Sequence, residues 1–457
     1  MQNKTNDFTK NSMAHNIMSL AIPMTVAQLI NVLYSLVDRM YIGHLAQNST
    51  LALTGLGITF PIIMLITAFT NLFGMGGAPL CSIARGRGDD KRAEKIIGNS
   101  FSMLIICSCI LITIGLLAKK PLLYLFGASD ETYPFANEYF SIYIWGSIFV
   151  MVGLGMNTFI NAQGFAKKGM VTILIGAIIN IILDPIFIFG LDLGIRGAAI
   201  ATVIAQFISA MWVMRFLLSD KAIYRIKKSC MKLDFKLIKE IISLGFSGFV
   251  FATTGSLVQI VCNNVLLLWG GNIYVGIMTV LNSIRDVLQM TIEGIRSGAQ
   301  PVLSYNYGAR QYLRVRQGIK FLAKITLLYT SLAWCILDFF PEFFIHLFNS
   351  EEEMLLLGVP ALHIYFLGFF MMAFQSTGQT TFISLGMGKF ATFFSLFRKV
   401  ILVIPLTIFL PNVWDLGVYG VFYAEMISNF VGGLACFSTM MMVVWRRLKK
   451  IENTEKM

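Results

Sequence analysis

Twelve apolar stretches, each long enough to cross a lipid bilayer, constrain the fold of this chain more than any other feature. A membrane-spanning helix needs about 20 mostly apolar residues. The sequence predicts such helices near 17–42, 51–80, 94–118, 134–160, 168–190, 195–218, 237–268, 273–299, 317–340, 355–382, 390–411 and 416–444. Because hydrocarbon offers no partner to an open backbone, the pattern predicts an all-α integral membrane protein.

The composition agrees with a lipid environment. Of 457 residues, 56% are hydrophobic and 13% are charged, whereas soluble proteins carry about 25% charged residues. The net charge of +12 does not indicate nucleic acid as a partner, because Lys and Arg cluster in short loops between the apolar stretches. These basic loops alternate with loops poor in net positive charge, which predicts that both termini are cytoplasmic. The Cys and His residues show no metal-ligand spacing, so no cofactor is expected.

The chain also repeats itself. Gly86 corresponds to Gly308 at an offset of 222 (308 − 86), and 192–200 matches 415–423 at an offset of 223. With an even number of spans per repeat, both halves share one orientation. This predicts two six-helix bundles related by a pseudo-two-fold axis, with the substrate site between them. The expected division is an amino-terminal lobe at 1–218, a cytoplasmic linker at 219–236 and a carboxy-terminal lobe at 237–457.

Two carboxylates, Asp38 and Asp184, lie inside stretches predicted to be embedded in hydrocarbon. An ionised side chain near the bilayer centre costs at least about 3 kcal/mol, so it usually faces a cavity or partner and serves a function. Asn180 precedes Asp184 by four residues and shares its helical face. Such oxygen ligands suit Na⁺. Burial also disfavours an ionised carboxylate, so the pair could instead bind a proton. The sequence leaves the two ions open.

Polar side chains follow two further helical faces. Asn31, Tyr34 and Asp38 recur every three to four residues on the first span. In the second half, Gln289 and Glu293 are four residues apart, and Glu293 is the acid best placed there to meet a cationic substrate. Residues at this spacing share a face of a helix, so both faces are expected to line aqueous space.

Longer strings resemble one transporter family. NAQGFAKKGM (161–170), NIILDPIFIFGLDLGIRGAAIAT (180–202) and PVLSYNYGAR (301–310) are similar to the MATE (multidrug and toxic compound extrusion) transporters, and the resemblance covers essentially the whole chain. The chain is most similar to the bacterial multidrug-efflux branch, which carries a Glu-Gly pair matching Glu293 and Gly294. The resemblance implies a monomeric antiporter of the bacterial plasma membrane, not an enzyme. It would exchange lipophilic, often cationic drugs or metabolites for Na⁺ or H⁺.

The resemblance also assigns residues to sites. The positions that match the family's coupling-cation site are Tyr34, Asp38, Asn180, Asp184 and Thr202. Any Na⁺ would be held by Asp38, Asn180 and Asp184. Pro23 matches a proline at which the first span bends in some relatives, so we expect a hinge there. The side chains expected to contact the drug are Asn31, Asn157, Gln289 and Glu293.

Two other functions are open at this point. A flippase of lipid-linked oligosaccharides shares the general fold, but it would favour an arginine-rich central cavity for a pyrophosphate. A polytopic membrane enzyme should show clustered His, Ser or Cys at a membrane face, and the sequence displays no such grouping. The sequence does not explain why two basic residues, Arg398 and Lys399, lie inside the eleventh predicted span.

Overall fold

The structure is a computed structural model that describes residues 7–43, 49–348, 351–413 and 415–455. Helices make up all the regular secondary structure within these ranges. The α-helices in chain order are α1 (Met13–Gly43), α2 (Ser49–Gly86), α3 (Asp90–Leu117), α4 (Lys119–Leu125), α5 (Tyr133–Ala162), α6 (Ala166–Pro185), α7 (Gly194–Leu218), α8 (Phe235–Gly308), α9 (Tyr312–Phe339), α10 (Pro341–His346), α11 (Glu352–Phe366), α12 (Met372–Ser384), α13 (Gly388–Leu396), α14 (Ile404–Phe409), α15 (Tyr419–Met440) and α16 (Arg446–Glu455).

Eleven helical segments in the described part are long and apolar enough to cross a membrane. One of them, α8, has 74 residues, far more than the roughly 20 that one crossing needs. Gly271 interrupts it with φ +72°, a backbone conformation that glycine adopts without steric cost. Counting its two arms, 235–270 and 272–308, as separate crossings gives the twelve predicted spans. The predicted all-α fold of two six-helix bundles is confirmed.

Some spans depart from the predicted ranges. The last apolar segment continues as helix to Asn453 rather than ending at 444, because polar contacts outside the apolar stretch stabilise it. Arg316 Nη1 lies 2.6 Å from Glu452 Oε2, and the guanidinium lies 4.6 Å from the centre of the Trp445 ring. The predicted span 355–382 contains a break between α11 and α12, which hydropathy alone does not reveal.

Helix α1 packs against both halves of the molecule. Its first turns contribute Ile17 and Leu20 to a buried apolar cluster that otherwise contains mainly second-half residues such as Leu303 and Leu322. Its other end contributes Ile42 to the core of the first half, which extends to Ile241 on α8. A structural change at either end of α1 can therefore reach both bundles.

The two halves meet along a seam between α2 and α8. The backbones approach closely where Gly76 packs against Ile241 and where Gly245 packs against Leu72, and a Cβ at either glycine would collide with a carbonyl oxygen. Close approach of two backbones is a position where only glycine fits. The glycines therefore permit the tight contact between the bundles.

The segment before α1 lies across one end of this seam. Phe8 is buried, its ring lies 5.2 Å from the Arg85 guanidinium of α2, and it packs edge-on against Tyr305 of α8 at 5.5 Å. Arg314 Nη2 donates hydrogen bonds to the backbone oxygens of Phe8 at 2.9 Å and Asn11 at 2.9 Å. The bundles are thus in contact at the end that carries the basic loops.

Candidate functional site

The residues of the predicted cation site lie where α1, α6 and α7 converge. Helix α6 places Asn180 and Asp184 on one face, and Asn180 Nδ2 donates a hydrogen bond to Asp184 Oδ1 at 3.0 Å. The same amide lies 3.4 Å from Thr202 Oγ1 on α7. Asp184 is 0% exposed and Asn180 is 2% exposed. Three of the five predicted residues therefore form one buried network.

The other two predicted residues come from α1. The carboxyl group of Asp38 lies within hydrogen-bonding reach of the carboxyl group of Asp184. Tyr34, one turn earlier, lines a small cavity with Asn31, Asn180 and Thr202. The volume of this cavity is about 20 Å³, and about 10–15 Å³ by this measure is enough for one water. The space suits one water or a bare cation, not a drug.

Two oxygens at this site lack an ordinary protein donor. Within the described residues, Asp184 Oδ2 and Asn180 Oδ1 are buried and receive no hydrogen bond from an amide or hydroxyl group. A buried oxygen without compensation costs free energy, and two adjacent carboxyls cannot both stay ionised there cheaply. A bound proton or Na⁺ would relieve both costs, so the donor set fits either ion.

A further buried residue, which the sequence does not single out, lies beside this network. Tyr139 on α5 is buried, and its phenol lies close to the Thr202 hydroxyl. Its ring stacks on that of Tyr143 at 5.8 Å. The spacing of these tyrosines, i and i+4 in a predicted span, was the available signal, but it does not reveal which neighbouring helix they face.

Glu293 faces a larger cavity between the bundles, as part of an ion pair. Arg296 Nη1 lies 2.6 Å from Glu293 Oε1, and Gln289 Nε2 donates a hydrogen bond to the same oxygen at 3.1 Å. Glu293 and Arg296 both line a cavity of about 190 Å³, whose apolar wall includes Phe251 and Met75. The predicted drug-contacting acid is therefore already neutralised by a neighbour one turn away.

The remaining predicted residues are not all brought to this cavity. Asn31 lies at the small cavity of the cation site. Asn157 is buried and donates a hydrogen bond to the Gly169 carbonyl oxygen at 3.2 Å, joining α5 to α6. Pro23 lies inside α1, which is continuous from Met13 to Gly43. Drug contact by Asn31 and Asn157 and a hinge at Pro23 stay predictions.

Comparison with known proteins shows which family this chain is similar to. The chain matches the MatE family over residues 23–186 and 249–409. It is similar to the multidrug export protein MepA of Staphylococcus saprophyticus subsp. saprophyticus, with 24% identity over 94% of this chain and 93% of that protein.

Solved structures show the same fold. The outward-facing conformation of a multidrug resistance MATE family transporter of the MOP superfamily superposes with a TM-score of 0.91 at 22% identity, covering 98% of this chain and 100% of that one. A MATE crystal structure in the bent conformation gives a TM-score of 0.92 at 21% identity over 100% of both chains. The chain therefore belongs to the MatE family and is a multi-pass membrane transporter rather than an enzyme.

Proposed function

We propose that this protein is a cation-coupled antiporter that exports lipophilic, often cationic drugs or metabolites by alternating access. The observation that carries the proposal is the pairing of the buried Asp184 with the half-buried Asp38, with Asn180 beside a cavity of about 20 Å³. Such a site has the charge and size for one Na⁺ or H⁺. The relatives named for multidrug export and multidrug resistance support a drug as the exported molecule.

Helix α1 offers the route from the ion site to the drug cavity. On this helix, Ala21 packs directly against Gly298, and Thr25 packs against Gly294, next to Glu293 on α8. Binding of a cation between Asp38 and Asp184 removes their mutual repulsion and changes the position that α1 prefers. Pro23 lies between these two contacts and has no N–H to donate to the preceding helical turn. The missing hydrogen bond makes this the natural place for α1 to bend.

The cavity between the bundles is the proposed drug site. Its volume of about 190 Å³ is below the roughly 300–1,000 Å³ of drug-sized pockets. The bundles must therefore separate further in the state that accepts the drug. Arg296 in the cavity wall is paired with Glu293, so the cavity does not offer the unpaired arginines that a pyrophosphate-linked lipid would require.

The proposal includes the arrangement in the membrane. The protein would be a monomer in a bacterial plasma membrane, in contact with lipid, with both termini in the cytoplasm, no bound cofactor and no nucleic-acid partner. The lobes would be 1–218 and 237–457. The linker at 219–236 is tied to α3, because Asn99 Nδ2 donates hydrogen bonds to the carbonyl oxygens of Cys230 at 3.3 Å and Lys232 at 3.2 Å.

Transport in proteoliposomes tests the proposal. We expect Asp38→Asn and Asp184→Asn to insert normally and to lose at least about fivefold in gradient-driven export of ethidium, since one ion-coupling interaction is worth about 1–3 kcal/mol. Imposing Na⁺ and H⁺ gradients separately identifies the coupling ion. Asp192→Asn, which makes the same chemical change at an exposed residue of the same half, is the matched control. Full transport by both Asp38→Asn and Asp184→Asn would refute ion coupling at this pair.

A further inference from the structure

A second buried charged cluster lies in the other half of the molecule. Glu425 on α15 is 6% exposed, and its Oε1 lies 3.6 Å from Arg398 Nη1 and 3.7 Å from Lys399 Nζ. Arg285 Nη1, from the second arm of α8, lies 3.8 Å from the same oxygen. We call Arg285, Arg398, Lys399 and Glu425 the basic cluster. Arg398 and Lys399 belong to a π-helical stretch, Phe397–Val403, and such stretches occur frequently at functional sites.

The charges of the basic cluster and the neighbouring Asp286 together balance only if one base is neutral. Arg285 is also 3.7 Å from Asp286, so two arginines face two carboxylates, Glu425 and Asp286. Arginine does not lose its proton in proteins. The basic cluster and Asp286 contain five ionisable groups. Their net charge is zero if Lys399 is uncharged and +1 if Lys399 is charged. Lys399 is 7% exposed, and an uncompensated buried charge is costly.

The other groups around the basic cluster do not change this balance. Tyr365 on α11 accepts a hydrogen bond from Arg285 Nη1 at 2.6 Å, and Asn429 on α15 accepts one from Arg398. Cys262, on the first arm of α8, is buried and packs against a threonine hydroxyl at 3.7 Å. Tyrosine and cysteine side chains are ordinarily neutral near pH 7, so the surplus charge rests on the lysine.

The basic cluster occupies the second-half equivalent of the proposed ion site. Glu425 lies 223 residues after Thr202, the offset that relates 192–200 to 415–423, and Tyr365 lies 222 residues after Tyr143. Thr202 hydrogen-bonds with Asn180 in the first half. In the first half, the proposed site offers oxygen ligands to a cation from solution. In the second half, the basic side chains of the protein itself surround a carboxylate.

The basic cluster also has a polar route to its surroundings. The side chain of Asp286 is 66% exposed and that of Arg285 is 24% exposed. A carboxylate so exposed within a membrane-spanning helix must face aqueous space rather than hydrocarbon. Water at Asp286 and Arg285 can therefore deliver a proton toward the interior of the cluster.

We propose that the basic cluster is a proton-exchange site of the second bundle, in which the Lys399 ammonium releases one proton to water and takes it back during the transport cycle. This goes beyond coupling at Asp38 and Asp184, because it places a second exchangeable charge in the other bundle. It depends on neither the drug nor the ion bound in the first half.

Thermal unfolding of the purified full-length protein between pH 6 and pH 10 tests this without any drug. Lys399→Arg keeps the charge at every pH, Lys399→Met removes it, and Lys389→Met is a matched control at an exposed position. Because the surplus charge is buried only in the folded protein, the unfolded chain binds more protons at this site, and stability rises with pH. We expect the wild-type Tm to rise with pH by at least about 2 °C relative to each Lys399 variant.

The proposal would be overturned if the difference in Tm between wild type and both Lys399 variants did not change with pH across this range. The proposal would also be overturned if the wild-type Tm rose with pH by the same amount relative to Lys389→Met. The pH dependence would then not be specific to Lys399. If Lys399→Arg fails to fold, the Lys399→Met series decides. In proteoliposomes at a fixed Na⁺ gradient, the pH dependence of ethidium export between pH 6 and pH 9 should flatten in the variants that fold, and an unchanged profile contradicts exchange during transport. If export fails altogether, the unfolding series still stands on its own.

Discussion

Gly86 and Gly308 occupy equivalent positions in the two halves, and each packs against the backbone of the helix that carries the other. A Cβ on Gly86 would collide with the Tyr305 carbonyl oxygen, and a Cβ on Gly308 would collide with the Ile83 carbonyl oxygen. Ile83 and Tyr305 are themselves 222 residues apart, like the two glycines (308 − 86). The seam between α2 and α8 thus follows the two-fold symmetry that the sequence repeat predicts, at the end covered by Phe8.

Alanine at either glycine should push the bundles apart at this end. The added methyl group meets backbone rather than a flexible side chain, and overpacking of this kind costs about 1–3 kcal/mol. We expect Gly86→Ala and Gly308→Ala to favour a conformation in which the seam is open and to slow drug export. Spin-label distances between the ends of α2 and α8 measure the opening. Gly57→Ala on α2, where a Cβ meets no atom within 4 Å, is the control, and unchanged distances in both seam variants would contradict the prediction.

The ion pair in the drug cavity should limit affinity for cations. A cationic drug must compete with Arg296 for Glu293, since their charged atoms are 2.6 Å apart. We expect Arg296→Gln to lower the KM for ethidium by about five- to tenfold, which corresponds to about 1–1.4 kcal/mol, and Glu293→Gln to raise it.

Neutral substrates provide the contrast for this change. The KM of a neutral lipophilic substrate should shift by less than about twofold in Arg296→Gln, because no charge is matched or lost. Thr380→Val removes the other contact of Arg296, a hydrogen bond from its Nε at 3.1 Å, without altering the charge of the cavity. Equal effects of Arg296→Gln on charged and neutral substrates would show that Glu293 does not contact the drug.

The linker has a pH-independent anchor in the physiological range. Tyr224 donates a hydrogen bond to Asp90 Oδ1 at 2.7 Å, and burial, followed by this bond, raises the pKa of the Tyr224 phenol well above its usual value. A raised pKa means that the stabilisation is fully present below the unfolded value of about 10 and is lost as the pH rises through the folded value.

Tyr224→Phe should therefore lower the free energy of unfolding by about 1–2 kcal/mol, by the same amount throughout pH 6–9. Thermal unfolding in detergent measures the loss. Tyr133→Phe, at a half-buried tyrosine outside this network, controls for removal of a hydroxyl. A loss that disappears between pH 6 and pH 9 would show that the phenol ionises in the folded protein and would contradict this account.

The features that the sequence predicts correctly depend on local geometry or on transfer of side chains into lipid. Apolar length determines the crossings, including the division of α8 near Gly271. The i, i+4 spacing of Asn180 and Asp184 already places both side chains on one face of α6, and their hydrogen bond follows from that spacing. The basic character of 446–450 did not reveal that the last helix continues there, because the stabilising partner, Arg316, comes from another helix.

By itself, the sequence determined the solvent, the duplicated twelve-helix architecture and the two costly carboxylates of the first half, because hydropathy and helical period are properties of neighbouring residues. Only the tertiary structure decided which helices those groups face. It brought Tyr139 to Thr202 and gathered Arg398 and Lys399 around Glu425. The charge balance of a buried site depends on distances between helices, and periodicity along one helix contains no information about those distances.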